Sequence, residues 1–221
     1  MPAPGWAAQL INFGAALLLL TSFSMLSQRR ILSLVNLFAL QGAVLSLSTA
    51  IVAYTSGAHH LYASAALSLL LKVILLPWIL YHLIARLNVR WDTETQLNIP
   101  ATMLVGILVV VFAFALAHPI AQLSSAVTRS TLGIALAVVL LSFLMMITRR
   151  KAISQVIGFL AMENGLFFGA TSATYGMPMV VELGVALDVL IGTVILGVFF
   201  FQIREQFDSL DLQHLERLRE D

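Results

Sequence analysis

The chain has 221 residues, of which 60% are hydrophobic and only 10% are charged, and its mean hydropathy is +0.96. This composition excludes an ordinary water-soluble domain and is typical of a protein that crosses a membrane several times. The net charge of +1 argues against a nucleic-acid partner, and the absence of cysteine excludes disulfides and thiolate-bound iron–sulfur clusters in this chain.

Seven apolar stretches follow one another along the chain, each near the length of about 20 residues that a membrane-spanning helix needs. None alternates with period two, so we predict helices rather than the strands of a membrane barrel. The predicted fold is all-α: a polytopic integral membrane protein with seven transmembrane helices. The predicted spans are residues 7–27, 31–55, 61–87, 101–120, 131–148, 152–174 and 177–203.

Basic residues occur in every second loop between the predicted spans, at residues 29–30, 86–90 and 149–151. The intervening loops contain no lysine or arginine, apart from Arg129 at the edge of the fifth span. Since short cytoplasmic loops carry an excess of basic residues, this pattern predicts an N-terminus outside and a C-terminus in the cytoplasm.

A weak internal repeat relates residues 29–42 to residues 151–164. Both segments contain a basic loop, the apolar start of a helix and a polar residue inside that helix, Gln41 or Glu163. The match favours two tandem three-helix units, although the general similarity of membrane hairpins explains it equally well. The predicted regions are 1–90 for the first three-helix unit, 91–128 for a loop and linker helix, 129–203 for the second unit and 204–221 for a cytoplasmic tail.

Four ionisable residues interrupt the apolar runs: Lys72, Glu163, Glu182 and Asp188. An ionisable side chain at the centre of a membrane helix costs about 2.5–3.5 kcal/mol, so such residues usually serve a pathway or a partner. At 1.5 Å per residue, Lys72, Glu163 and Asp188 each lie roughly 16 Å inside their spans, whereas Glu182 lies nearer the outer end. We predict that they transfer protons; a structural ion pair, or contacts to a neighbouring subunit, is the alternative.

His82 lies on the same helix face as Lys72, ten residues further along, and it is a further proton-transfer candidate. Anchoring at the membrane interface beside Trp78 and Tyr81 is the favoured alternative for this histidine. Pro77 removes a backbone donor close to Lys72, which predicts either a kink or hydrated defect beside the lysine or a harmless bend.

Two amides accompany the ionisable groups, Gln41 in the second span and Asn164 beside Glu163, and for both we favour a structural role between helices. No spacing of histidine, aspartate and glutamate matches a metal site. The chain also lacks a phosphate-binding loop and a soluble region that could carry a catalytic set. We therefore predict no catalytic residue, no metal and no cofactor in this chain.

Three motifs carry a family resemblance that extends over the whole chain: residues 72–77 (KVILLP), 162–165 (MENG) and 182–188 (ELGVALD). With these motifs the chain resembles hydrogenase-4 component E, a membrane subunit of formate hydrogenlyase and related group 4 NiFe-hydrogenase complexes. The fifth to seventh spans also resemble subunit K of NADH:quinone oxidoreductase and the C subunit of multi-subunit cation/proton antiporters. Subunit K has its first key glutamate at the position of Leu160, one turn before Glu163, whereas its second corresponds to Asp188.

The resemblance implies a place in a large, complex I-like assembly in the bacterial or archaeal cytoplasmic (inner) membrane, beside antiporter-like subunits. A NiFe centre and iron–sulfur clusters are then expected in partner subunits on the cytoplasmic side, and none in this chain. Glu163, Asp188 and Lys72 would contribute to proton translocation coupled to redox chemistry elsewhere, so the chain is a non-catalytic subunit of an oxidoreductase complex rather than an enzyme on its own. A structural adaptor for antiporter-like subunits, or a component of a cation/proton antiporter, are the alternatives.

Overall fold

The computed structural model describes residues 5–57, 59–87, 98–121 and 126–174, together with the isolated positions 184, 190, 192 and 194. Within this part of the chain the structure is helical and contains no strand. The elements are α1 (Gly5–Ser27), α2 (Ile31–Ser56), α3 (His59–Leu69), the π-helical segment π1 (Leu70–Leu75), α4 (Leu76–Leu87), α5 (Ile99–Ala121), α6 (Ala126–Thr148) and α7 (Ala152–Thr174).

Six stretches of the described residues are helical, long enough and apolar enough to cross a membrane, and they correspond to the first six predicted spans. The largest difference in their bounds is at α6, which begins at Ala126 rather than at residue 131. The third span is continuous through α3, π1 and α4. The predicted seventh span, 177–203, and the tail, 204–221, lie outside the described residues except for the four isolated positions, each of which is helical.

Local sequence explains two of the helix ends. Helix α2 stops at Gly57, whose φ of 68° is in the left-handed region that glycine adopts without steric cost. Helix α5 starts after Asn98, whose backbone carbonyl accepts hydrogen bonds from both the amide and the hydroxyl of Thr102. Pro100 lies in the first turn of α5, where no intrahelical amide donor is needed.

Four helices form the centre of the described bundle. Helix α1 packs against α2 and α6, and α7 packs against the same two helices, α2 and α6, so that these four helices form a closed ring. The segments α3, π1 and α4 pack on the outer side of α2, and α5 packs on α6 and α1. The ring therefore places the middle of α2 and α7 next to each other, with π1 close to both.

An apolar cluster fills part of the ring, with Leu18 from α1, Leu45 from α2, Val138 from α6 and Phe168 from α7 all inaccessible or nearly so. Helix α5 is different, because most of its large side chains lie on the surface of the described bundle. In a membrane, such surface side chains suit contact with lipid chains or with another membrane helix. The polar groups described next lie in the interior and not on this surface.

Candidate functional site: a buried polar network around Lys72

Lys72, in the middle of π1, is the centre of a polar network inside the helix bundle. Its Nζ atom lies 2.6 Å from Oε2 of Glu163 and 2.7 Å from Oδ1 of Asn164, both on α7. The side chains of Lys72 and Glu163 are 0% and 2% exposed. A lysine and a glutamate separated by 91 residues in the sequence thus form a close, buried ion pair.

The network continues through amides into two further helices. Nδ2 of Asn164 donates to Oε1 of Gln41 on α2 at 3.1 Å, and Nε2 of Gln41 donates to the hydroxyl of Ser22 on α1 at 2.9 Å. The Ser22 hydroxyl in turn donates to the backbone carbonyl of Leu18. Every polar atom along this line has a partner that matches its donor or acceptor character, which fixes the orientation of both amides.

Protein shields the network from the surface of the bundle. Asn164 and Gln41 are fully buried, and Ser22 is almost so. The ring of Phe167 lies 5.6 Å from Nζ of Lys72, within the range of a cation–π contact. Charged side chains are tolerated inside a membrane only when they are paired with each other and shielded from lipid. The surrounding helices provide this shielding for Lys72 and Glu163.

The helix that carries Lys72 departs from α geometry where the lysine is placed. Over Leu70–Leu75 the turns are π-helical, and the backbone amide of Leu76 donates to the carbonyl of Leu71, five residues earlier. Pro77 follows directly and has no amide hydrogen, so it cannot restore the α pattern at the next position. The sequence predicted either a kink or hydrated defect or a harmless bend at Pro77, whereas the structure has a widened π-helical turn just before it, a geometry that recurs at functional sites.

Gly42 on α2 allows the widened turn to lie against its neighbour. A Cβ atom at this position would come within 2.8 Å of Cβ of Lys72 and 3.4 Å of its carbonyl oxygen. Contacts this short would force the two backbones apart, so only glycine permits the observed approach. The close packing of α2 on π1 thereby helps to aim Lys72 toward α7.

A second buried cation, Arg149, lies in the loop between α6 and α7. Its Nη2 atom approaches the carbonyl oxygens of Met25, Leu26 and Gln28 at 3.2, 3.0 and 2.6 Å, and the residue is 2% exposed. These carbonyls belong to the last turn of α1 and the residue after it, where intrahelical backbone donors run out; that of Met25 also accepts from the amide of Gln28. Arg149 thus caps α1 and interacts favourably with the negative end of its dipole.

The structure places the other predicted site residues as follows. His82 on α4 is exposed, its ring packs 4.4 Å from that of Trp78, and Nδ1 lies 2.9 Å from the carbonyl of Trp78. It is not brought into the Lys72 network, and its neighbours fit the anchoring alternative. Glu182 and Asp188 lie outside the described residues, although Gly184 between them is described as helical and its backbone lies against the ring of Phe167.

Gln41 and Asn164 both make hydrogen bonds between helices, as a structural role requires. Asn36, another amide of α2, lies at the surface of the bundle, where its Oδ1 accepts a short hydrogen bond from the hydroxyl of Tyr81. This bond joins α2 to α4 outside the network.

Sequence reasoning missed two features of the buried polar groups: the part that Ser22 takes in the Lys72 network and the burial of Arg149. Ser22 resembles the other hydroxyls of the membrane helices, and no sequence signal distinguishes it. Arg149 belongs to a basic loop that indicates topology, and loop arginines are normally solvated. Its burial depends on the packing of α1 beside α6, which a single sequence does not specify.

No group of three or more histidine, aspartate and glutamate side chains is close enough to hold a metal ion within the stretches that the structure describes. The chain also has no cysteine. The described network contains an ammonium and a carboxylate in direct contact, with an amide that also accepts from the ammonium.

The sequence of this chain is similar to those of several known proteins. The chain is 32% identical over 212 residues to the protein named "Uncharacterized protein Rv0085" of Mycobacterium tuberculosis, and the match covers 96% of both chains. This chain belongs to the family of that mycobacterial protein. It is also distantly homologous to hydrogenase-4 component E of Escherichia coli and of Shigella flexneri, with 26% identity over 214 residues, 96% of this chain and 98% of each relative. No family model and no solved structure matches the chain.

Proposed function

We propose that this chain is a membrane subunit of a hydrogenase complex of the formate hydrogenlyase type, related to complex I. In this proposal Lys72 and Glu163 form one proton-transfer site in a proton-translocation path that is coupled to redox chemistry in other subunits. The observation that carries the proposal is the direct contact of Nζ of Lys72 with Oε2 of Glu163 in the interior of a bundle of membrane-length helices.

The distant homology to hydrogenase-4 component E over nearly the whole chain supports the choice of complex. By its name, that relative is a component of a hydrogenase. Because the present chain offers no cysteine for an iron–sulfur cluster, the NiFe centre and the clusters would belong to partner subunits on the cytoplasmic side. Antiporter-like membrane subunits are the proposed neighbours, and the bacterial or archaeal inner membrane is the proposed location.

The geometry suggests how a proton would be held. Lys72 can pass a proton from Nζ to Oε2 of Glu163, which converts the charged pair into a neutral amine and a carboxylic acid without moving any heavy atom far. Asn164 accepts from Nζ and is itself held by Gln41, so the ammonium keeps its direction. The amides orient but do not titrate, and the proton must therefore enter and leave through Lys72 or Glu163 and not through Gln41.

The proposal also covers the membrane topology of the chain and its further proton-transfer residues. The chain would have seven spans, an outer N-terminus and a cytoplasmic C-terminus. Two tandem three-helix units would be joined by the linker helix α5, with the second unit similar to subunit K. Asp188, Glu182 and His82 are proposed as further proton-transfer groups.

The test is replacement of Glu163 by glutamine in the complete complex, reconstituted into vesicles. Glutamine retains an oxygen that can accept from Lys72 but cannot carry a proton, so we expect assembly and hydrogenase turnover to persist while proton uptake into the vesicles is lost. Glu163→Asp serves as the matched variant, because it keeps a carboxylate on a shorter side chain and should retain part of the translocation. Unchanged translocation in Glu163→Gln would refute the proposal.

One observation favours a second function, that of a structural adaptor. The network from Lys72 to Ser22 joins α1, α2, π1 and α7 through matched hydrogen bonds, which is what a purely structural latch would also show. An adaptor predicts that Glu163→Gln weakens assembly in proportion to any loss of translocation. Dependence of transport on sodium would indicate an antiporter component instead.

A further inference from the structure

Hydroxyl groups buried in the described helices follow a common pattern. Most of them donate to a backbone carbonyl three or four residues earlier, which satisfies the hydroxyl locally. The buried residues that show this bond are Thr21, Ser22, Ser46, Thr49, Thr102, Ser142, Thr148 and Thr171.

Ser68 on α3 breaks this pattern. Its side chain is fully buried, and its hydroxyl has no hydrogen-bond partner in the structure. A buried hydroxyl without a partner is costly, and an ordered water molecule is the usual partner where protein supplies none. The hydroxyl of Ser154 shares this property, but Ser154 lies nine residues before Glu163 on α7, near the loop that contains Arg149.

Ser68 lies one helical turn before Lys72. It precedes Lys72 by four residues, one turn along the same helix, and side chains at this spacing are neighbours on one face. The turn between them is where π1 begins. Across the interface, α2 runs antiparallel to α3 with Gly42 against Lys72, which brings Ser46 to the level of Ser68.

On the opposite side of Lys72 the buried face is hydrocarbon. Leu76, Ile79 and Leu80 follow along α4, and each is at most 2% exposed. The buried hydroxyl of this helix thus lies before Lys72, at Ser68, whereas the buried positions just after it are apolar. Among the described residues of this helix, Ser68 carries the buried hydroxyl that lies beside Lys72 in the sequence.

We propose that Ser68 binds a water molecule beside Nζ of Lys72, and that this water exchanges protons between Lys72 and solvent at the end of the bundle formed by Gly57 and His59. The water accepts a proton from the ammonium as it releases one of its own to the next water molecule, so it remains water and the lysine becomes neutral. The hydration is independent of the proposed function of the chain, whereas the relay step rests on it.

The absence of cysteine makes a direct test available. Ser68→Cys introduces a single thiol of similar size, and its S–H stretching band can be followed by infrared spectroscopy in the full-length chain in lipid vesicles. The control is Ser46→Cys, since the Ser46 hydroxyl is buried at the same level but is bonded to the carbonyl of Gly42. We expect the Ser68→Cys band to be shifted by hydrogen bonding and to exchange in D₂O on the order of tenfold faster than the control.

A free S–H band that exchanges no faster than the control would overturn the water site. Ser68→Ala gives a second measurement that does not depend on the thiol. Removal of a dry, unpartnered hydroxyl should raise the thermal unfolding midpoint of the chain, so a clear rise would also overturn the proposal, whereas an unchanged or lowered midpoint supports hydration.

The relay step is tested separately in the reconstituted complex. If Ser68→Cys exchanges rapidly, we expect Ser68→Ala to reduce proton uptake several-fold while the complex stays assembled. Normal uptake in Ser68→Ala would refute the relay although the water is present. If Glu163→Gln also leaves proton uptake unchanged, the proposed function itself has failed, and the exchange of the Ser68→Cys thiol still decides the water site.

Discussion

Two basic side chains are buried in this bundle, and their surroundings differ in chemistry. Lys72 meets a carboxylate and an amide at mid-span, on another helix. Among the described contacts, Arg149 donates to backbone carbonyls at the end of a helix. The described partners of Lys72 include a carboxylate, which can take up a proton, whereas the backbone carbonyls that accept from Arg149 cannot.

The comparison shows that burial of a cation does not by itself indicate a proton path. Arg149 keeps its charge under all ordinary conditions, and the carbonyls that it contacts do not titrate. Its role is to complete the end of α1. In the proposed function, by contrast, the ammonium of Lys72 exchanges a proton with the carboxylate of Glu163 that it contacts. The partners of a buried charge, rather than its depth, separate the two roles.

Among the variants that test the difference between Lys72 and Arg149, Lys72→Met should have the largest effect on stability. The variant leaves the Glu163 carboxylate buried without its ammonium partner, and loss of one partner of a buried pair typically costs about 3–5 kcal/mol. We expect the free energy of unfolding in mixed micelles to fall by this amount, with poor accumulation of the chain in membranes.

The double variant Lys72→Met with Glu163→Leu is the control for that prediction. Because it removes both charges, it should recover most of the lost stability while it abolishes proton uptake in the reconstituted complex. If the single and double variants were equally unstable, the ion pair would not be the reason for the loss.

Arg149→Met should have the next largest effect, and it acts on stability alone. A hydrogen bond to a charged group contributes about 1.5–3 kcal/mol, and we expect the free energy of unfolding to fall within this range. Proton uptake per assembled complex should stay at the level of the unmodified protein. The neighbouring Arg150 is exposed, and Arg150→Met should change stability by no more than about 0.5 kcal/mol. Loss of proton uptake in Arg149→Met would remove the distinction between the two cations.

Gly42→Ala tests the packing that aims Lys72. The added Cβ would lie 2.8 Å from Cβ of Lys72, so α2 and π1 must separate, and such overpacking costs about 1–3 kcal/mol. Gly5→Ala is the control, because nothing lies within 4 Å of a Cβ at that position. We expect circular dichroism melts to show a lower midpoint for Gly42→Ala only, together with reduced proton uptake. An equal response in both variants would indicate a general effect of alanine on the helices.

Sequence alone predicted the helical framework well, because the backbone of an apolar stretch in a membrane has few other ways to satisfy its hydrogen bonds. The first six spans follow directly from the apolar runs. For Pro77 the sequence left open whether the helix would be kinked beside Lys72 or only bend harmlessly. The π-helical register around Lys72 was not predictable, since it depends on the contact with Gly42 in a different helix.

The sequence also could not predict which side chain Lys72 contacts. Counting residues gives the depth of a side chain in the membrane, and it brought Lys72, Glu163 and Asp188 to a similar height. It does not give the rotation of each helix about its axis, which decides which side chains meet. The contact of Lys72 with Glu163 and Asn164, and the extension through Gln41 to Ser22, follow from the packing of α7 and α1 against α2.

The smallest effect concerns the far end of the network, where Ser22 accepts a hydrogen bond from Gln41. Ser22→Ala removes that acceptor, and the loss of one neutral hydrogen bond lowers the free energy of unfolding by about 0.5–1.5 kcal/mol. Ser24→Ala is a matched control two residues away, because the Ser24 hydroxyl is exposed and bonds only to the carbonyl of Leu20. Since the amides orient Lys72 but do not carry protons, Ser22→Ala should leave proton uptake largely intact. A loss of uptake as complete as that expected for Glu163→Gln would mean that protons travel along the Gln41 branch, and the assignment of Lys72 and Glu163 as the only exchanging pair in the described network would then be wrong.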